Sequence, residues 1–201
     1  MVVTHRGWVA VAGAVLMLSV AVASAPASSG RSAATPAEYR TLVSAARQTL
    51  AARALSLVEG AHPTTQEPLA AGNVVRSARF AVIEAAALRS LAGRRDRLRT
   101  LDEVYLAAQT EVRFAGAQRS ADRLRLTLTE LTTLYRDRNR GGPDSTAFEA
   151  SRTFDFVLER GRWTLTGEAL LDDGPAPITQ PDPPSEGSLT LTPSGGFAEY
   201  D

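Results

Sequence analysis

Leu124-Arg-Leu-Thr-Leu-Thr-Glu-Leu-Thr-Thr-Leu-Tyr135 decides the fold class. Its first half sets Leu124, Leu126 and Leu128 against Arg125 and Thr127, the period-two pattern of a strand with one face in a core. Leu131, Thr133 and Tyr135 then continue on the opposite parity. A one-residue slip turns every side chain to the other face, so the pattern predicts a β-bulge near Thr129–Leu131.

Downstream, Phe148, Ala150, Phe154, Phe156 and Leu158 define a further strand, with Arg152 on the same row. Glu159-Arg-Gly-Arg162 reads as a tight turn with Gly161 free to take φ > 0, and Trp163 and Leu165 open a strand that ends near Leu171. Upstream, Val112 and Phe114 alternate with Glu111, Arg113 and Ala115 in a short strand that Gly116 is expected to end. Before that the period lengthens to a helical one. Pro36 suits a helix start, and Leu42, Val43, Ala46, Leu50, Leu55 and Val58 recur along a helix that Gly60 and Pro63 close. A second helix is predicted from about Asn73 to Ala92, interrupted at Gly93, with a shorter helical piece from Arg94 to about Tyr105. The expectation is an α+β domain: N-terminal helices packed on a curved antiparallel sheet of about four strands.

The ends read differently. Residues 1–27 have the form of a signal peptide: His5 and Arg6, an apolar run over Trp8–Val22, then small residues whose best cleavage points follow Ala23 or Ala27. The alternative is a retained anchor, since no charge occurs between Gly7 and Gly30. Residues 28–36 are a short linker, 37–171 the domain, and 172–201 an acidic, Pro-rich linker or tail expected to lack order from about Pro175 onward. Within that tail Ser188-Leu-Thr-Leu-Thr192 is the one alternating stretch able to add as an edge strand.

The chain of 201 residues has 22 basic and 22 acidic side chains, and no cysteine. Absent cysteine rules out a disulfide scaffold, a thiolate zinc site and a cysteine nucleophile. All 22 basic residues are arginine. The stretch 37–171 carries 20 Arg against 16 acids, whereas 172–201 carries six acids and no base. An even overall balance argues against nucleic acid as a partner.

His62 lies in an inter-helix loop without a partner that would make it a ligand or a base, and no serine sits in a nucleophile elbow. No catalytic, metal-binding or cofactor-binding residue is therefore expected. Arg94, Arg95, Arg97 and Arg99 make a basic cluster at a helix end, a candidate anion contact or simply a solvated terminus. Trp163 beside Phe154 could line a pocket or pack in the core. Glu130 and Arg152 come close to one another if the strands pair about a loop centre near Arg140, which puts residue 130 opposite residue 151. They form either an inward ion pair or a rim contact.

Thr110-Glu-Val-Arg-Phe114, the stretch Leu128–Tyr135, Thr146-Ala-Phe148, Phe154-Asp-Phe156, Arg160-Gly-Arg-Trp163 and Asp172-Asp-Gly-Pro175 occur in this order. Together they resemble the region that precedes the catalytic domain in secreted amidase-domain proteins of actinobacteria. The resemblance covers about Leu101–Pro177 and implies a cystatin-like cone of the nuclear-transport-factor-2-like kind. It also implies a downstream Cys-dependent amidase domain with a Gly-Asp-Cys-Thr-Asn-like stretch. This chain has no cysteine and closes at Glu199-Tyr-Asp201, about where that domain would begin, so amidase chemistry is not expected of it. The expectation is a secreted or wall-associated, non-catalytic leader or binding domain. Its expected partner is a cell-wall polymer or an amidase domain, with no cofactor and no lasting membrane anchor. The alternatives are a tethered accessory protein resembling the mammalian-cell-entry-associated proteins, and a free-standing cone that binds a small ligand.

Overall fold

A computed structural model describes residues 35–63, 69, 74–136 and 144–182. The signal or anchor segment, the loop around Arg140 and the tail beyond Asp182 lie outside them.

Helix α1, Pro36–Ser56, starts on a capping box. The Thr35 hydroxyl accepts from the Glu38 amide at 3.2 Å, and the Glu38 carboxylate accepts from the Thr35 amide at 2.6 Å. That backbone hydrogen bond from Thr35 holds the Glu38 carboxyl below its ordinary range. Leu42, Ala45, Ala46, Thr49, Leu50, Arg53 and Ala54 form the buried stripe, whereas Leu55 is exposed. A short strand β1, Val74–Arg76, follows. Helix α2, Ala78–Thr100, begins at Ser77, whose hydroxyl accepts from the Phe80 amide at 3.1 Å. It runs unbroken through Gly93, which corrects the predicted interruption: one glycine lowers helix propensity by about 1 kcal/mol, and the packing of Leu88 and Leu91 outweighs that.

Four long strands follow: β2 Tyr105–Ser120, β3 Arg123–Arg136, β4 Ser145–Glu159 and β5 Arg162–Leu170. The curved sheet has the order β1-β5-β4-β3-β2. β1 runs parallel to β5, and every other neighbour is antiparallel. The sheet is therefore mixed and five-stranded rather than four-stranded and antiparallel; the three residues of β1 are too few to show a period. Arg160 and Gly161 both take φ > 0 in the two-residue β4–β5 turn.

The predicted bulge near Thr129–Leu131 is absent. β3 keeps one parity, burying Leu124, Leu126, Leu128, Glu130, Thr132 and Leu134. The apparent slip arose because the inward row turns polar at Glu130 and Thr132 while Leu131 sits half-buried on the other face. Bulges occur instead at Tyr105/Ala107, Phe114/Gly116 and Asp155/Phe156, so Gly116 bends β2 without ending it. The tail expectation needs a correction as well. Pro177–Asp182 lies on the body: Ile178 packs against the cluster of Ala54, Leu57, Leu91, Tyr105 and Leu134, and Thr179 is buried.

The concave face of the sheet and the two helices enclose two apolar clusters. The larger joins Leu42, Leu50, Phe80, Leu126, Phe154, Phe156, Trp163 and Leu165, and the smaller joins Ala54, Leu57, Leu91, Tyr105 and Leu134.

Candidate functional site

Between the two clusters the inward rows carry charge. Glu130 of β3, Arg152 of β4, Glu168 of β5, Arg53 of α1 and Glu84 of α2 all have side chains no more than 8% exposed. Arg152 donates from Nε to Glu130 Oε2 and from Nη1 to Glu168 Oε1, both at 2.5 Å. Arg53 grips Glu84 with Nε and Nη2, at 3.0 and 2.6 Å to the two carboxylate oxygens. Its Nη1 stands 2.8 Å from Glu168 Oε2, close enough for an ion pair but off the line of a hydrogen bond. Glu168 thus joins both arginines. The free Glu130 oxygen accepts from the Thr132 hydroxyl at 2.8 Å, which shares a 3.0 Å contact with the Thr110 hydroxyl. Burial alone would lower the Arg53 pKa, but Glu84 and Glu168 outweigh it and hold the guanidinium charged beyond its ordinary range.

Among the described residues this cluster sets three carboxyl groups against two guanidinium groups. Burial of isolated ions costs several kcal/mol each, so only mutual pairing keeps such a cluster folded. The strap Pro177–Asp182 closes over it. Gln180 Oε1 accepts from Arg152 Nη1 at 2.8 Å, while Arg94 donates to the Ile178 and Gln180 carbonyls and pairs with Asp182. Arg152 Nη2 and the Thr179 hydroxyl are buried there without a hydrogen-bond partner among the described residues.

The residues singled out from sequence fall into three places. Glu130 and Arg152 meet inside the domain, with the β3–β4 register one step from that expected: Glu130 faces Ala150 and Arg152 faces Leu128. Phe154 and Trp163 belong to the larger apolar cluster, and Trp163 also lies under the Arg119 guanidinium at 5.7 Å. The four arginines of the basic cluster reach three places, Arg94 and Arg97 both turning to Asp182. Arg94 holds the strap, Arg95 donates to the Ala61 carbonyl, Arg97 approaches Asp182 and Arg99 approaches Glu59. Sequence reasoning missed Arg53, Glu84 and Glu168. The signal was present in two of them: Arg53 follows Ala46 and Leu50 on the buried stripe of α1, and Glu84 lies between Phe80 and Ala87 on that of α2.

A second feature opens to solvent. Tyr39, Arg40, Val43 and Arg47 of α1 face Val112, Phe114 and Ala117 of β2 across a groove of about 790 Å³. The Tyr39 and Phe114 rings meet at 5.8 Å and 58°, yet Phe114 remains 53% exposed.

No family model and no curated protein matches this chain. Among solved structures it is similar to the intermembrane space region of the chloroplast protein ARC6, at 13% identity and a TM-score of 0.41. The match covers 65% of this chain and 94% of that one. A likeness so loose carries no argument about fold or activity.

Proposed function

We propose that the chain is a non-catalytic binding module of an exported, amidase-associated protein, built as a cystatin-like cone. One observation carries the reading: Arg53, Glu84, Glu130, Arg152 and Glu168, buried between sheet and helices, are each held by another of the five, and the strap lies over them. A general acid, base or nucleophile needs access to substrate and a proton to exchange. Here the carboxylates of Glu84, Glu130 and Glu168 face arginines and threonine instead. The surface suited to recognition is the groove between α1 and β2, where apolar side chains and arginines stand side by side.

The purified 201-residue protein is expected to leave wall amide bonds intact. Hydrolysis abolished by a substitution within the chain would overturn the module reading. N-terminal sequencing of exported protein tests the other half of the proposal. A start at Ser24 or Ser28 supports secretion, and an intact Met1 end would replace it with a tethered form.

A further inference from the structure

β2 is the free edge of the sheet; beyond the single Val58–Tyr105 bridge, no described strand pairs with its outer side. The Arg136 amide donates to the Asp144 carbonyl just before β4. Backbone direction alternates along a strand, so Thr132, Glu130 and Leu128 turn their amides and carbonyls toward β4 as well. Their partners in β2, Thr110, Val112 and Phe114, therefore turn theirs away from β3. The Thr110 carbonyl accepts there from Arg47 Nε of α1, at 3.2 Å. The amides and carbonyls of Val112 and Phe114 have no partner on that side among the described residues.

Helix α1 runs beside this edge in the opposite direction. It meets β2 at Arg47–Thr110 and again at Tyr39–Phe114. The two contacts lie about 12 Å apart along the helix and about 13 Å apart along the strand, so the groove between them follows the edge. Its wall is apolar at Tyr39, Val43 and Phe114, basic at Arg40 and Arg47, and lined by no acidic residue. Arg40 is exposed and has no ionic partner among the described residues. An extended peptide that pairs with Val112 and Phe114 would lie against this wall. Backbone groups then supply affinity, and alternate side chains supply selectivity. Two copies of this chain joined edge to edge would instead bring two sets of Arg40 and Arg47 to one seam, where like charges repel.

We infer that the β2 edge takes up an extended acidic peptide of a partner protein as an added strand. Apolar side chains at alternate positions of the peptide lie on Val43 and Phe114, and carboxylates on the same face reach Arg40 and Arg47. The inference rests on the binding-module reading and deepens it by naming the class of ligand.

Hydrogen exchange on the full chain, with the peptide acetyl-Glu-Thr-Val-Thr-Val-Thr-Glu-amide as probe, tests it; glutamates and valines share one face of that peptide. At millimolar peptide the Val112 and Phe114 amides are expected to exchange at least tenfold more slowly. Arg40→Glu, an exposed substitution, should weaken binding at least tenfold, and so should lysine in place of both glutamates on the wild-type chain. Methylating one alternate set of peptide amides should abolish binding, and methylating the other set should spare it, the mark of pairing along one strand edge. No slowing at millimolar peptide overturns the inference, as does binding that tolerates both methylations. So does full protection that precedes the peptide and is unmoved by it. Protection of that kind that survives dilution puts this chain's own tail on the edge, and protection lost on dilution puts a second copy there. These failures leave the binding-module reading standing with another ligand, whereas amide hydrolysis by the chain removes that reading and leaves the exchange result standing.

Discussion

Glu130 stands opposite Ala150 in the β3–β4 ladder, but its carboxylate reaches diagonally along the concave face to Arg152, which stands opposite Leu128. Both side chains are wholly buried. The diagonal matters because it leaves the rest of the Arg152 guanidinium free for Glu168 and Gln180.

The two partners are therefore unequal. Arg152→Met strips Glu130 of its cation and leaves Glu168 with Arg53 alone, so it should cost about 3–5 kcal/mol in urea unfolding. Glu130→Gln leaves Arg152 on Glu168 and Gln180, so its cost should be clearly smaller. The double variant Glu130→Leu/Arg152→Met should recover part of the single Arg152 loss. Equal costs for the two single variants would contradict this arrangement.

Two glycines should respond with opposite signs. A Cβ at Gly93 would meet only Arg97 Nη1, at 3.8 Å, in a helix that already runs through it. Gly93→Ala is expected to stabilise by about 1 kcal/mol. Gly161 sits at φ 78° in the β4–β5 turn, where a side chain is strained whatever the space around it. Gly161→Ala should destabilise by about 1–2 kcal/mol. Thermal unfolding of both variants reads the difference directly.

The strap should loosen in acid. Burial pushes the Asp182 carboxyl up, but the hydrogen bond and charge of Arg94, with Ser90 and Arg97, outweigh it and hold the pKa below its usual 3.8. A depressed folded value means the attachment is fully present above about pH 4 and lost as pH falls through the folded value. The side chain is 56% exposed, so the whole domain should stay folded while the strap opens. Protection of the Gln180 amide, which donates to the Pro177 carbonyl, is expected to fall relative to its intrinsic exchange rate below about pH 4, ahead of global unfolding. Asp182→Asn should abolish most of that pH response.

Helix entry should carry measurable stability. Ser77→Ala removes the acceptor for the Phe80 amide, beside a buried phenylalanine, and should cost about 1 kcal/mol. Thr35→Ala breaks both bonds of an exposed capping box and should cost about as much, read by denaturant unfolding.

Where side chains repeat on a strong period, the sequence was informative. Leu124, Leu126 and Leu128, the Phe154 and Phe156 row, and the Arg160–Gly161 turn all stand where the pattern puts them. The errors cluster where polarity and burial part company. Glu130 and Thr132 looked like a change of face because hydropathy alone cannot distinguish a buried, paired carboxylate from a solvated one. Arg53 escaped notice for the same reason, its partners lying on other elements. β1 was illegible because three residues gain strand character only from β5. The strap looked unstructured from its prolines, yet its order comes from Arg94 and Arg152, far away in sequence.

Glu168 is also the last of the five charged residues along the chain. The helices and β2–β4 precede β5 in the chain, and among themselves they pair Arg53 with Glu84 and Arg152 with Glu130, as two separate ionic islands. Only β5 supplies the carboxylate that joins them, and only β5 gives β1 a neighbour, across about 90 residues of intervening chain. A chain lacking β5 would leave the two islands unjoined and β1 without its neighbour. The last of the described strands is thus the one that ties the separate parts into a domain.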